Sequence, residues 1–295
     1  MFGWRTDRDE ALKIIDYAIN NDIRFIDTSI SYGRGSSHEL LAECICQLNC
    51  RDKITLATKV GGISSKDNDP NSSGFDNKNL TRQVELSLRQ LKTDYIDLLQ
   101  IHYPIEDQRT LDNVSKEIKS LFSAGKIRNI GVSNHNQSQY RSFKKSVSLP
   151  SDLTIPNQIE VSLLNTKGIR EFSQYNNIEL IAWGPLSSGL LTSDCVSNNS
   201  IQPFTRIATG RELDSKVKLL TKEETQHIFS RLATLSSDTG ISVTQIAFSW
   251  VLSLKQVRTI LTGPSDLQQL KHILEILSWD NNIIDQISVA FQDIL

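Results

Sequence analysis

Short apolar runs alternate along the chain with stretches in which apolar residues recur at helical spacing. This alternation is typical of repeated strand–helix units, in which parallel strands form a sheet that helices cover. The predicted strands cover residues 23–27, 54–59, 95–102, 127–133, 156–161, 178–183 and 257–263. The predicted helices cover residues 9–20, 37–48, 78–91, 112–124, 136–146, 167–175, 223–238, 242–254 and 266–277.

The number of predicted strands indicates the fold class. Seven strands are one fewer than a closed barrel contains, so we predict an α/β fold, a TIM-type (β/α)8 barrel lacking most or all of its first strand. The opening MFGW can supply only the end of that strand, because helix-capping residues begin at Thr6 and Asp7. Either the native chain extends upstream of Met1, or the barrel has an open seam. A length of 295 residues suits one barrel, so residues 1–295 are predicted to form a single domain.

Two long segments stand apart from the strand–helix alternation. Residues 62–77 are polar and contain glycine and proline, and residues 186–222 join the strand at 178–183 to the helix at 223–238. Long loops in a compact domain are commonly functional or mobile. Both segments follow strand ends, so we expect them to border a site.

Composition and charge exclude several classes of function. The net charge is −2, with 32 basic and 34 acidic residues mixed along the chain, so no basic face is available for nucleic acid. The opening residues are charged where a signal peptide would be apolar, and no later stretch stays apolar long enough to span a bilayer. We therefore expect a cytoplasmic protein with neither a nucleic-acid nor a membrane partner.

The cysteines and histidines do not form a metal-binding pattern. Cys44, Cys46 and Cys50 are crowded on and just after one predicted helix, and Cys195 lies far away in a loop. Neither a disulfide framework nor a zinc spacing results, so reduced thiols are expected. No two of the five histidines have metal-ligand spacing on one helix face, so we predict no metal site.

Ionisable residues follow three of the predicted strands. Asp27 ends the segment RFID and is followed five residues later by Tyr32, Lys59 ends ITLATK, and His102 ends IDLLQIH. Because a parallel barrel gathers the carboxyl ends of its strands at one face, these groups are expected to meet. Each residue taken alone is more commonly a structural group at a strand end. Their occurrence together, in chain order, favours a catalytic site.

The motifs around these residues resemble those of the aldo-keto reductase superfamily over nearly the whole chain. They are FIDTSISYG, ATKVG, LLQIHYP, GKIRNIGVSNHN, NQIEVSLLN, IAWGPLSSGLL and ILTGPSDLQQL, in the family's order and spacing. The resemblance implies that Asp27, Tyr32, Lys59 and His102 are the catalytic tetrad. It also implies an NAD(P)H-dependent oxidoreductase whose partner is a small carbonyl substrate.

The chemistry of carbonyl reduction suits these residue types. Hydride transfer builds negative charge on the carbonyl oxygen, so a proton donor is needed within hydrogen-bond reach. Tyr32 is expected to be this general acid, although a phenol with a reference pKa of about 10 is a weak acid at neutral pH. A cationic Lys59 would stabilise the phenolate, and Asp27 would hold the ammonium in place. His102 would either orient the substrate oxygen or share the proton.

The remaining motifs resemble the family's nicotinamide site. Ser133, Asn134 and Gln158 match residues that hydrogen-bond the carboxamide, and amides and hydroxyls can satisfy both its donors and its acceptor. Trp183 matches the aromatic side chain that stacks on the ring. The residues after Trp183 that the resemblance adds to the cofactor site are Gly184, Pro185 and Leu186.

The predicted adenosine subsite departs from the family's pattern. Gly263 and Gln269 match it, and Gln269 fits adenine recognition. Ser265 replaces an arginine that would bind a 2′-phosphate through two hydrogen bonds, and Ile273 replaces an asparagine. Ser265 together with Lys271 could still hold a phosphate. NADP(H) is therefore predicted over NAD(H), with a narrower preference than the family pattern implies.

Two functions of different class remain open from the sequence. The first is reduction of an aldehyde or ketone to an alcohol, with Tyr32 as general acid. The alternative is a non-catalytic, nucleotide-binding regulatory or interaction subunit with the same fold, which channel-associated members of the superfamily resemble. An intact tetrad favours the enzyme. The polar segments 62–77 and 186–222 favour sugar-derived or small polar carbonyls as substrates.

Overall fold

The structure, a computed structural model, has the alternating strand–helix architecture that the sequence predicts. It describes Phe2, Phe75 and residues 6–61, 79–147, 153–175, 177–200 and 213–295. Within these residues, seven parallel strands follow one another in the sheet in the order of the chain. This order is expected when each connection between parallel strands is a helical crossover.

The strands are short, and each overlaps a predicted one, so the strand prediction is confirmed. Predicted site residues lie at their carboxyl ends: Asp27, Ser133 and Trp183 are each the last residue of a strand. The strands are β1 (Phe25–Asp27), β2 (Thr55–Val60), β3 (Leu98–Ile101), β4 (Ile130–Ser133), β5 (Asn157–Glu160), β6 (Leu180–Trp183) and β7 (Val257–Ile260).

Capping residues explain where several helices begin. The carboxylate of Asp7 accepts a hydrogen bond from the N–H of Glu10 at 2.9 Å, and Asn136 with Gln139 forms a capping box. The helices are α1 (Arg8–Asn20), α2 (Ser36–Leu48), α3 (Asn79–Leu91), α4 (Gln108–Ser123), α5 (Gln137–Ser146), α6 (Lys167–Glu171), α7 (Ser193–Asn198), α8 (Leu213–Leu220), α9 (Glu223–Thr239), α10 (Val243–Leu252), α11 (Leu267–Leu274) and α12 (Asn281–Ala290). None of those described is long and apolar enough to span a membrane.

Three helical features differ from the sequence prediction. The segment 186–222, predicted to be a loop, contains the 3₁₀ helix Ser187–Gly189 together with α7 and α8. Helix α6 ends at Glu171 rather than at residue 175, and α12 was not predicted. The predicted loop at 62–77 lies outside the described residues except for Phe75.

The chain divides into two compact units, each with its own buried apolar residues. The first comprises residues 1–158 and 263–270 and includes a buried cluster that packs α1, α2 and β2 through Ala11, Ile15, Leu41, Ile45 and Leu56. The second comprises residues 159–262 and 271–295 and includes a buried cluster of Phe248, Ile273 and Ile276. The single-domain organisation stays a prediction.

Candidate active site

The four ionisable residues predicted to be catalytic all lie in the first unit, at or near the carboxyl ends of adjacent strands. Asp27 ends β1, Lys59 is the penultimate residue of β2, and His102 directly follows β3. Tyr32 begins a 3₁₀ helix, Tyr32–Gly35, in the connection between β1 and α2. The structure therefore brings the predicted tetrad together.

Lys59 is the centre of this group and is fully buried. Its ammonium donates hydrogen bonds to the Asp27 carboxylate and, at 3.1 Å, to the carbonyl oxygen of Thr28. Burial alone lowers the pKa of Lys59, but the charge of Asp27 and the interactions with Tyr32 outweigh burial and raise this pKa above its ordinary value. Lys59 is accordingly a cation at neutral pH.

Tyr32 lies between the buried cation and solvent. The ammonium nitrogen of Lys59 is 4.9 Å from the centre of the Tyr32 ring, and a side-chain hydrogen bond with Tyr32 contributes to the raised pKa of Lys59. The ring meets that of His102 edge to face, with centroids 6.0 Å apart and planes at 80°. Tyr32 is 37% exposed, so its side chain contacts the buried cation and is also accessible to solvent.

Backbone hydrogen bonds and a glycine fix the loop that carries Tyr32. The N–H of Tyr32 donates to the carbonyl of Ser29 at 3.0 Å, and the N–H of Ile30 donates to the carbonyl of Lys59 at 3.3 Å. Gly35, the N-cap of α2, has a φ of 96°, which disfavours side chains with a Cβ. A Cβ there would also lie 3.2 Å from the amide nitrogen of Gln90. This turn therefore needs glycine.

His102 is a neutral imidazole packed within the site. Burial first, and then the positive charge of Lys59, lower the pKa of His102 to about 3. Its ring stacks on Tyr103 with centroids 4.8 Å apart, and its Nδ1 is 3.4 Å from the hydroxyl of Ser29. At neutral pH the ring can donate or accept a hydrogen bond, but it carries no extra proton to give.

Gln100 is a site residue that the sequence analysis missed. Its side-chain amide donates to Oδ1 of Asp27 at 2.9 Å, and Gln158 donates to the same oxygen at 3.0 Å. In register, Gln100 is the β3 partner of Lys59, so their side chains share one face of the sheet. Its position two residues before His102 on the predicted strand 95–102 was the available signal, because alternate residues of a strand face the same side.

Two predicted carboxamide-binding residues lie at the end of β4, next to Gln158. Ser133 Oγ donates to the backbone carbonyl of Gln158 at 3.1 Å. Asn134 has a φ of 59°, and its side-chain nitrogen reaches Ser133 Oγ at 3.1 Å and the His102 carbonyl at 3.2 Å. Ser133 and Asn134 therefore lie close to both His102 and Gln158.

The predicted ring-stacking segment belongs to the second unit and continues β6 into a tight turn. Trp183 accepts a hydrogen bond from the N–H of Val161 at 3.0 Å through its carbonyl. Gly184 has a φ of 71°, and its carbonyl accepts from the N–H of Ser187 at 2.8 Å. Pro185 is buried, and the carbonyl of Leu186 accepts hydrogen bonds from two following N–H groups, those of Gly189 and Leu191.

The predicted adenosine residues surround the start of α11 in the first unit, where Gly263 is exposed. Gln269 accepts a hydrogen bond from the N–H of Ser265 at 2.9 Å through its side-chain oxygen. The first N–H of α11, that of Leu267, donates to the carboxylate of Glu10 at 2.7 Å. This hydrogen bond, followed by one with Lys13, lowers the pKa of Glu10. A carboxylate from α1 thus already lies at the N-terminus of α11.

Comparisons with known proteins point to one family. Residues 1–288 match the model of the Aldo/keto reductase family. Aldo-keto reductase YhdN of Bacillus subtilis (strain 168) is 30% identical over 288 residues, covering 95% of this chain and 82% of that protein. A probable voltage-gated potassium channel subunit beta of Arabidopsis thaliana is 24% identical over 278 residues, covering 92% of this chain and 82% of that protein.

A solved structure shares the fold across the whole chain. The glycerol dehydrogenase from Gluconobacter oxydans matches with a TM-score of 0.76 and 25% sequence identity, covering 100% of this chain and 88% of that chain. Together with the family match, this similarity confirms the predicted fold class, a (β/α)8 barrel that lacks one strand.

Proposed function

The chain belongs to the aldo/keto reductase family, whose members are oxidoreductases that use nicotinamide cofactors, and from this premise we propose that it reduces an aldehyde or ketone to an alcohol. The observation that carries the proposal is the position of the Lys59 ammonium, paired with Asp27 and directed at Tyr32. A buried cation beside a partly exposed phenol is an arrangement suited to proton donation.

In the proposed reaction, Tyr32 gives its phenolic proton to the carbonyl oxygen as that oxygen becomes negative. A reduced nicotinamide, when bound, supplies the hydride that adds to the carbonyl carbon. Lys59 stabilises the phenolate that remains on Tyr32, and Asp27 keeps Lys59 charged and in place. Because Tyr32 is partly exposed, solvent can return its proton after the alcohol leaves.

We propose that His102 orients the substrate oxygen rather than sharing the proton. The low pKa of His102 means that the imidazole is neutral throughout the physiological pH range. A second cation next to Lys59 would also cost free energy in a buried site. A neutral ring still fixes a carbonyl oxygen by one hydrogen bond.

The residues present fit a nicotinamide cofactor. Gln158 is buried, and its side-chain oxygen accepts no hydrogen bond from any residue that the structure describes. Both N–H groups of its amide are used inside the protein, so this oxygen is the atom that Gln158 offers to the N–H groups of a carboxamide. We propose that Ser133, Asn134 and Gln158 hold the carboxamide and that Trp183 stacks on the ring. The turn Gly184-Pro185-Leu186 would lie along the cofactor.

For the adenosine end we propose Gly263, Ser265 and Gln269, and NADP(H) over NAD(H) with a narrow preference. Ser265 has the place of an arginine in the family's pattern, so a charged partner for a 2′-phosphate is missing there. Glu10 narrows the preference further, because its carboxylate occupies the N-terminus of α11, a position that otherwise attracts an anion.

We propose a small polar carbonyl as the substrate. The polar composition of segments 62–77 and 186–222 supports this class, as does the similarity to a glycerol dehydrogenase. Loops of this kind vary independently of a barrel and set its substrate range.

The experiment that tests the proposal is incubation of the chain with NADPH and a series of small polar and aromatic aldehydes. We expect one alcohol to form for each reduced cofactor consumed, and Lys59→Met to stop turnover. The alternative function is a nucleotide-binding subunit, which the similarity to the probable channel subunit supports. Tight cofactor binding without turnover of any aldehyde would favour that alternative.

A further inference from the structure

Two buried glutamines share one oxygen of the Asp27 carboxylate. Gln100, from β3, donates to Oδ1 at 2.9 Å, and Gln158, from β5, donates to it at 3.0 Å. The nitrogen of Gln158 is also 3.1 Å from the side-chain oxygen of Gln100. Lys59 occupies the other carboxylate oxygen, so three donors surround one anion.

This arrangement determines which end of each amide faces Asp27. An ionised carboxylate can only accept hydrogen bonds, so both glutamines must direct their NH₂ groups to it. The oxygen of Gln100 then faces Gln158 and accepts its second N–H. Both hydrogens of the Gln158 amide are therefore bonded inside the protein, and only the Gln158 oxygen is left to meet a ligand.

We propose that Gln100 is a positioning residue for cofactor recognition, which with Asp27 fixes the Gln158 amide so that it offers the nicotinamide carboxamide an acceptor and no donor. This inference rests on the proposed function, because it takes the nicotinamide to bind beside Gln158. Recognition then depends on the NH₂ group of the carboxamide. The hydrogen bonds to Asp27 stay intact when the cofactor binds, since the carboxamide binds the side-chain oxygen of Gln158, which does not take part in them.

Cofactor analogues test which carboxamide atom is recognised, without any change to the protein. The 3-acetylpyridine analogue of oxidised NADP replaces the NH₂ by a methyl group, and the thionicotinamide analogue keeps the NH₂ and replaces the oxygen. Both retain the adenosine end, so differences in dissociation constant arise at the nicotinamide. We expect the acetylpyridine analogue to bind about tenfold more weakly than the natural cofactor, and the thio analogue within about threefold.

The Gln100→Met variant tests the positioning role. Methionine has a similar size but neither donates to Asp27 nor accepts from Gln158. Asp27 still accepts one N–H of the Gln158 amide, but the second N–H loses its partner and becomes available to a ketone oxygen. We expect the roughly tenfold discrimination against the acetylpyridine analogue to fall to about threefold or less. The matched control is Gln245→Leu, which removes another buried glutamine amide, bonded to His272 and Glu275 in the second unit. Gln245→Leu should discriminate against the acetylpyridine analogue as strongly as the parent does.

The possible outcomes separate this inference from the proposed function. If the parent binds the natural cofactor and the acetylpyridine analogue equally well, Gln158 does not act as an acceptor for the carboxamide and the inference is wrong. If the parent discriminates and Gln100→Met discriminates equally, Gln100 does not position Gln158. Failure of the parent to bind any nicotinamide cofactor would instead overturn the proposed function. Equal binding of the two cofactors by the parent overturns the inference even if Gln100→Met does not fold.

Discussion

Lys59 and Asp27 form an ion pair that is closed to solvent on the lysine side, with 1% of the Lys59 side chain exposed and 10% of that of Asp27. Removing one partner of such a pair is strongly destabilising, because the other charge is left buried and unpaired. The pair holds the ends of β1 and β2 together at the proposed site. Its loss should therefore affect folding as well as catalysis.

We expect Asp27→Asn to lower the free energy of unfolding by about 3–5 kcal/mol, because Lys59 would remain buried beside a neutral amide. Urea denaturation at neutral pH measures this change. The control is Glu85→Gln, which removes the partner of Lys126 in a pair whose side chains are about one-third exposed, 34% and 36%. That substitution should cost at most about 1 kcal/mol. Equal losses in the two variants would mean that the Lys59–Asp27 pair is effectively solvated.

Three buried histidines make stability depend on pH. Burial is the main cause that lowers the pKa of His102 to about 3, and those of His38 and His135 to about 4, from an ordinary value of 6.5. As the pH falls, these histidines therefore become protonated in the unfolded chain before they do so in the folded protein. The stability that the neutral, buried histidines contribute is present above pH 6.5 and is lost toward pH 4.

We expect the free energy of unfolding to fall by up to about 4 kcal/mol per pH unit between about pH 6 and pH 4, because three protons are taken up on unfolding. His135→Asn should reduce this slope by about one third. Urea titrations at several pH values in the parent and the variant measure the difference. An unchanged slope would show that His135 is already protonated in the folded state.

Much of the site could be predicted because parallel strands bring their carboxyl ends together. Once the strands ending near Asp27, Lys59 and His102 were recognised, their proximity followed from the topology. The role of Gln100 could not be read in the same way, because it depends on an atom of Asp27 that Gln158 shares. Gln100 lies 73 positions and Gln158 lies 131 positions from Asp27 in the sequence.

The helices beyond β6 differ most from the sequence prediction. The polar composition of segment 186–222 concealed α7, which has only six residues and no side-chain cap hydrogen bond. In contrast, α12 had a recognisable start, because the carboxylate of Asp280 accepts from the N–H of Asn282 at 2.9 Å. The contact of Glu10 with the start of α11 spans 257 residues and left no local pattern.

Trp183→Ala should weaken cofactor binding by about three- to tenfold, because a stacked aromatic pair contributes about 0.5–1.5 kcal/mol beyond its buried area. It should also reduce the quenching of protein fluorescence that cofactor addition causes. A titration with NADPH measures both effects. Trp279→Phe is the control, since it removes an indole that packs on the buried cluster of Phe248, Ile273 and Ile276. Unchanged affinity and quenching in Trp183→Ala would exclude Trp183 from the nicotinamide site.

Ser265→Arg should strengthen NADPH binding by roughly one to two decades and leave NADH binding unchanged, because a charged hydrogen bond to phosphate contributes about 1.5–3 kcal/mol. Dissociation constants must be compared at one ionic strength, since salt screens phosphate contacts. If the parent already prefers NADPH several-thousand-fold and the variant changes nothing, other groups bind the 2′-phosphate.

Glu10→Gln should also strengthen NADPH binding, by a few-fold, while NADH binding stays the same. Glutamine can still accept the hydrogen bond from Leu267, but the negative charge at the start of α11 and the ion pair with Lys13 are lost. The control is Asp9→Asn, which removes a charge from the same helix at a side chain that is 85% exposed. Equal effects of the two substitutions would indicate net charge rather than the contact with α11.

The proposed reaction requires the phenolic proton of Tyr32, and a comparison of the parent with Tyr32→Phe tests this requirement. The dissociation constant of NADPH is measured for each protein by fluorescence. Turnover is then followed as the loss of reduced-nicotinamide absorbance after an aldehyde is added. Tyr95→Phe is the control, because it removes the hydroxyl of a tyrosine that lies between Arg51 and Arg128. We predict unchanged cofactor affinity and a loss of turnover of at least about 100-fold in Tyr32→Phe alone. Turnover within a few-fold of the parent would show that Tyr32 is not the general acid.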